Sequence, residues 1–133
     1  MRLLVALSAL LLSAGCGDGA APAATDEEAR SALTGQVLLG PQCPVESIED
    51  PCDPAPAAGV TVTVSEQLPG EAYAAGPAVA AGVTDASGRF RIDLAPGDYV
   101  VTADAGMSCE LMDVRVVAGE TTMMDVPCDT GIR

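Results

Sequence analysis

From Thr34 onward, apolar and polar residues alternate in short runs divided by Gly, Pro and Asp. In GVTVTVSE, residues 59–66, Val60, Val62 and Val64 fall on one side and Thr61 and Thr63 on the other. In GRFRIDL, residues 88–94, Phe90, Ile92 and Leu94 oppose Arg89, Arg91 and Asp93. A period of two is the mark of a strand buried on one face only. GDYVVTAD repeats it with Tyr99, Val101 and Ala103, and LMDVRVV with Met112, Val114 and Val116. GQVLLG at 35–40, AVAAGVT at 78–84 and TTMMDV at 121–126 complete a series of seven. Seven short strands with turn signals between them predict an all-β chain: a seven-stranded antiparallel sandwich of immunoglobulin-like or transthyretin-like type. No segment after residue 15 carries apolar residues at helical spacing, and no internal repeat is visible.

The connections have their own chemistry. Asp85-Ala86-Ser87-Gly88 places a carboxylate acceptor at the start of a turn and glycine at the left-handed position. Ala95-Pro96-Gly97-Asp98 reads as a Pro-Gly turn of the same use, so Asp85, Gly88, Pro96 and Gly97 are the expected turn-forming residues. Ala118-Gly119-Glu120 is expected to join the last two strands as a hairpin. With Val117 facing Thr121, Met112 meets Val126 and Val114 meets Met124, which suits a core. That register sets Cys109 opposite Asp129 and requires one bulge, for which Pro127 is the expected place.

The start of the chain differs from the rest. In MRLLVALSALLLSAG, Arg2 provides a positive n-region and residues 3–12 an apolar stretch. The stretch falls short of the roughly 20 apolar residues that cross a bilayer and reads as an export signal. Cys16, directly after Ala14 and Gly15, resembles the lipobox cysteine of bacterial lipoproteins, although Ser13 stands where that family usually has leucine. The resemblance implies that the Cys16 thiol is diacylated, that the preceding peptide bond is cut, and that the membrane is met through this anchor. Two acyl chains hold a protein stably, whereas one gives only marginal binding. The alternative is a plain signal peptide with a spare cysteine. Residues 17–32, GDGAAPAATDEEARSA, are small and polar and read as a tether. The expected organisation is a signal peptide at 1–15, a lipidated cysteine and flexible tether at 16–33, and a sandwich domain at 34–133.

Charge narrows the function. The chain has 19 acidic and 6 basic residues, a net charge of −13, and all six basic residues are arginine. Such a surface repels a phosphate backbone, so nucleic acid is not an expected partner. The sequence contains no histidine, which excludes Ser-His-Asp and Cys-His catalysis and histidine-ligated metals. Asp85 and Asp98 sit in turns, where backbone hydrogen bonds account for them. TDASG and IEDPCD offer loop oxygens without the ligand spacing of a calcium loop. No catalytic residue, no metal ligand and no cofactor is therefore assigned, and a small-molecule ligand is not expected. The aromatic residues are Tyr73, Phe90 and Tyr99, and Tyr73 alone is expected at the surface, as the only candidate platform for a sugar. The core must then rest on aliphatic side chains, and small domains with thin cores commonly need cross-links.

TDASGRFRIDLAPGDYVV resembles the T-D-x-x-G-x-F … L-x-P-G-x-Y signature of carboxypeptidase regulatory-like domains. These have the transthyretin-like, or prealbumin-like, sandwich. With TGQVLLGPQCPV, Cys43, Cys52 and the closing DTGIR, residues 34–133 are similar to small bacterial lipoproteins that carry one such domain. The resemblance implies the fold and is nearly silent on activity, since sandwiches of this kind host many roles. Transthyretin-like hydrolases acting on hydroxyisourate depend on histidine, which this chain lacks, so that activity is not expected. Collagen-adhesin sandwiches carry a lysine–asparagine isopeptide bond, and neither residue type occurs here.

Four cysteines remain beyond Cys16 and allow three connectivities. Local pairing joins Cys43 to Cys52 across PVESIEDP, and Cys109 to Cys128 across the expected final hairpin. Each bridge is worth about 3 kcal/mol by the loop-entropy model. Metal binding is the rival, but there is no C-x-x-C pair, and export favours oxidation. These readings converge on a non-catalytic, lipid-anchored protein of the bacterial cell envelope, facing the periplasm or the exterior. It would meet another envelope protein through a loop or a strand edge. The alternatives are a protein that binds a cation or glycan in its loops, and a protease inhibitor presenting loop 43–52.

Overall fold

The structure, a computed structural model, describes residues 31–70 and 73–133. The export segment, Cys16 and the first part of the tether lie outside the described residues.

Every regular element among the described residues is a strand. In chain order they are β1 (Ala32–Gly40), β2 (Ala55–Pro56), β3 (Thr61–Gln67), β4 (Ala75–Val83), β5 (Arg89–Asp93), β6 (Gly97–Ala103), β7 (Ser108–Cys109), β8 (Met112–Val116), β9 (Thr121–Met123) and β10 (Val126–Asp129). One sheet is antiparallel, in the order β4-β3-β6-β8. The other is built around β1: β5 and then β2 pair with one side of it, and β9 and then β10 with the other, with β7 beyond β10. Each of the seven expected strands has a counterpart, the last being divided into β9 and β10; β2 and β7 are two-residue additions.

The core lies between the sheets where alternation placed it. Val62 and Val64 of β3, Phe90 and Ile92 of β5, Tyr99 and Val101 of β6, and Val114 and Val116 of β8 are buried together with Leu33, Val37 and Val126. Arg89, Arg91 and Asp93 point outward, as the pleat requires. Val100 is a departure: it faces away from this core, yet it is buried. Its cross-strand neighbour on the outer face is Asp113, whose carboxylate accepts the Tyr73 amide at 2.9 Å. The connection after β3 is thus tied down across the outside of the sheet, above Val100.

Three expectations about the second half of the chain need correction. The sandwich is not wholly antiparallel, because β1 runs parallel to both β9 and β10. Residues 118–120 do form a turn, closed by the Glu120 amide on the Val117 carbonyl at 3.2 Å with Gly119 left-handed. That turn does not make a hairpin; it carries the chain from β8 in one sheet to β9 in the other. Local alternation fixes which face of a strand is buried, but it does not fix which strand lies beside it. The expected bulge at Pro127 is absent as well. The final strand is interrupted earlier, at Met124 and Asp125, and Pro127 lies within β10, facing out. At the interruption the Asp125 carboxylate takes the Gln36 amide at 3.0 Å, in place of a ladder carbonyl, and the register along β1 continues unchanged. Gly35 makes this close approach possible, since a Cβ there would overlap the Met124 carbonyl.

The domain also begins earlier than expected. Ser31, Ala32 and Leu33 are buried, the Ser31 hydroxyl donates to the Leu94 carbonyl, and the Leu94 amide returns a bond to the Ser31 carbonyl at 3.1 Å. The last residues assigned to the tether therefore belong to the sheet.

Candidate interaction surface

Strand directions sort the connections into two ends. From Ser31 the chain enters β1 at Ala32 and leaves it at Gly40, and β10 runs beside it to Asp129. The entry end holds the connection after β3, the 95–96 turn and the 118–120 turn. The far end holds the excursion 41–54, the 85–88 turn, residues 104–107 and residues 129–133.

At the far end the four domain cysteines form two disulfides. Cys43 is bonded to Cys52, with Cα atoms 5.9 Å apart, and Cys109 to Cys128, with Cα atoms 3.9 Å apart. Cys109 and Cys128 are direct cross-strand partners in β7 and β10. They meet because Cys109 is drawn out of β8 into a separate short strand beside β10, so no bulge is required. The excursion between Cys43 and Cys52 has almost no secondary structure, and Ile48 at its tip is fully exposed. Its base is fastened by the Gln42 side-chain amide on the Leu39 carbonyl at 2.6 Å and the Thr130 hydroxyl on the Pro41 carbonyl at 2.5 Å.

On the solvent side of β1, β10 and β7 lies a cleft of about 490 Å³. Leu38, Pro41, Pro54 and Pro127 supply apolar walls, and Ser108, Glu110 and Asp129 lie at its border. Asp129 is already engaged: it accepts from Arg133 at 2.8 Å and from the Gly131 amide at 2.7 Å. These two donors, the guanidinium first, lower its pKa from 3.8 to about 2.

The expected turn residues fall in two places. Asp85 accepts the Ser87 amide at 2.8 Å and the Arg89 amide at 3.0 Å through one carboxylate oxygen, and Gly88 is left-handed. A Cβ at Gly88 would also press on Pro56 and Ala57. Pro96 and Gly97 are at the opposite end, and the left-handed expectation for Gly97 needs correction: it is the first residue of β6, paired with Val116. The turn is closed instead by the Tyr99 hydroxyl, which donates to the Ala95 carbonyl at 2.6 Å. Tyr73 is exposed and left-handed, with φ of 61°, and lies at the entry end away from both disulfides. Among the described residues no three carboxylate, cysteine or histidine side chains come together as a metal-binding group.

Sequence reasoning passed over Thr84. It is buried; its hydroxyl donates to the Ala57 carbonyl at 2.6 Å and accepts the Val60 amide at 3.0 Å. A lone threonine after a strand has no signal that distinguishes it from a surface residue. The cleft was equally hidden, because its walls come from four separated segments.

The model of the carboxypeptidase regulatory-like domain matches residues 47–128. The chain belongs to this family. Among solved structures, the regulatory-like domain is similar to GBS52, the minor pilin of the Gram-positive pathogen Streptococcus agalactiae, at 18% identity with a TM-score of 0.51. That match covers 76% of this chain and 44% of the pilin. The Bacillus anthracis TIE protein matches at 16% identity with a TM-score of 0.50, over 75% of this chain and 17% of that one. This domain therefore spans less than half the length of either structure, and the likeness is one of fold. No curated protein matches the sequence.

Proposed function

We propose that this protein is a non-catalytic module of the bacterial cell envelope, anchored by lipid at Cys16 and displaying its sandwich to another envelope protein. The observation that carries the reading is the placement of both disulfides at the end opposite Ser31, where the chain enters from the Cys16 side. Disulfides persist in exported proteins. An anchor on the Cys16 side leaves the cross-linked end free to face outward, with loop 43–52 and the cleft beside it. The absence of histidine from the sequence and the backbone bonds that occupy Asp85 favour a binding role over catalysis.

Cell fractionation of Cys16→Ser tests the anchor. The variant is expected in the soluble fraction and the wild type in membranes, with a radiolabelled fatty acid incorporated only by the wild type. A wild-type protein that is soluble and carries a free thiol at Cys16 removes the lipid anchor from the reading.

A second reading draws on Ile48, held fully exposed in a disulfide-closed loop. A protease inhibitor presents a loop in this manner. It would slow a subtilisin-type or elastase-type protease stoichiometrically, and rapid cleavage within 43–52 without inhibition would dismiss it.

A further inference from the structure

We propose that the cleft beside the Cys109–Cys128 bridge binds a basic polypeptide segment that presents an apolar side chain. This names the partner chemistry for the interaction module above and rests on that reading of the domain; it does not depend on the lipid anchor. The walls are apolar and preformed: Leu38 and Pro127 are register partners on the outer face of the sheet, and Pro41 and Pro54 stand at the two feet of the cross-linked loop. Proline side chains lose no rotamer freedom when covered, so such a wall binds at little entropic cost.

Charge selects the partner. Glu110 borders the cleft, and Glu46, Glu49, Asp50 and Asp53 are exposed on the excursion that rises between Pro41 and Pro54. Among the described residues the ion pairs take Arg91, Arg115 and Arg133, and none involves these five carboxylates. No basic residue lies between 41 and 54. Arg133 neutralises Asp129, so the negative charge lies on the Glu110 side and on the loop. A second copy of this chain would bring the same carboxylates face to face, and an acidic segment would be repelled. A segment with arginine or lysine flanking one valine- or leucine-sized side chain satisfies both features: the apolar group enters the cleft and the cations meet the rim.

The test uses the full chain as isolated, from membranes or from the soluble fraction, and three short fluorescent peptides. One alternates valine with arginine, one serine with arginine, and one valine with glutamate. The valine–arginine peptide is expected to bind, with the other two about tenfold weaker or more. Ser108→Phe, which fills the cleft from an exposed position, and Glu110→Lys, which reverses the rim, should each weaken binding about tenfold while leaving the melting temperature unchanged. Higher salt should weaken it further. Equal binding of the serine–arginine peptide would reduce the effect to unspecific charge and overturn the proposal. So would binding indifferent to both substitutions, or no binding. A concentration-dependent dimer abolished by Ser108→Phe would overturn it in favour of self-association. Failure of the Cys16→Ser fractionation test leaves these outcomes untouched, so the anchor and the cleft fail separately.

Discussion

At the entry end, the connections are held by hydrogen bonds alone: Ser31 with Leu94, Tyr99 on Ala95, and the Tyr73 amide on Asp113. At the far end, two covalent bonds hold the long excursion and the short strand β7. The difference follows from what each end can bury. The entry-end turns are brief and leave directly from strands whose side chains reach the core. The 41–54 excursion is mostly exposed and provides almost no apolar anchor of its own. With so little burial, chain entropy would release it, and a cross-link acts on the unfolded chain where no contact is available.

The strongest way to break the contrast is to remove the covalent bonds one at a time. Cys109→Ala with Cys128→Ala is expected to cost about 3 kcal/mol, because the bridge joins β7 to a strand whose Val126 and Cys128 are buried. Thermal melting should show a larger fall than Cys43→Ala with Cys52→Ala, which loosens mainly an exposed loop. For the second pair the clearer signature is faster proteolysis within 43–52. Equal melting shifts would mean that the excursion is part of the cooperative unit.

At the entry end, Tyr99→Phe keeps the buried ring and removes only the hydroxyl. The expected cost is about 1 kcal/mol by denaturant unfolding, the usual net worth of such a bond. A loss as large as that of the Cys109–Cys128 bridge would erase the contrast between the ends. Asp113→Ala should cost less than about 1 kcal/mol, since its bond to the Tyr73 amide is exposed. Its readout is local: amide exchange should quicken at Tyr73 and Val100 and remain slow in the rest of β6.

The smallest effect is electrostatic. The Asp129 carboxyl is held below its ordinary value by Arg133 and the Gly131 amide, with a pKa of about 2. A depressed carboxylate stabilises the fold above its unfolded pKa, and the contribution is lost as pH falls from about 3.8 through about 2. NMR titration should place the Asp129 midpoint near 2, and Arg133→Ala should raise it toward 3.8. An unchanged midpoint would show that the ion pair does not hold the Asp129 carboxyl in solution.

Much of this was legible in the chain, and what was not has a common cause. Alternation around Phe90 and Val62 placed both residues in the core, because a strand's faces follow from its own pleat. The Asp85–Gly88 turn is equally local: one carboxylate and one left-handed glycine suffice to build it. Pairing is different. The stretch after Gly119 was expected beside β8, yet it joins β1 in parallel, across the sandwich. That choice depends on Gly35 admitting the Met124 backbone and on Asp125 supplying an acceptor to Gln36, contacts between residues far apart in sequence. The same distance hid the cleft, whose walls come from residues 38, 40–41, 54, 108–110 and 127–129. The strands, their buried faces and the Asp85–Gly88 turn could be read along the chain, since each depends on neighbours a few positions away. Which strands lie side by side, how Cys109 reaches Cys128, and where an apolar surface remains open emerge only on folding, because these depend on how distant segments meet.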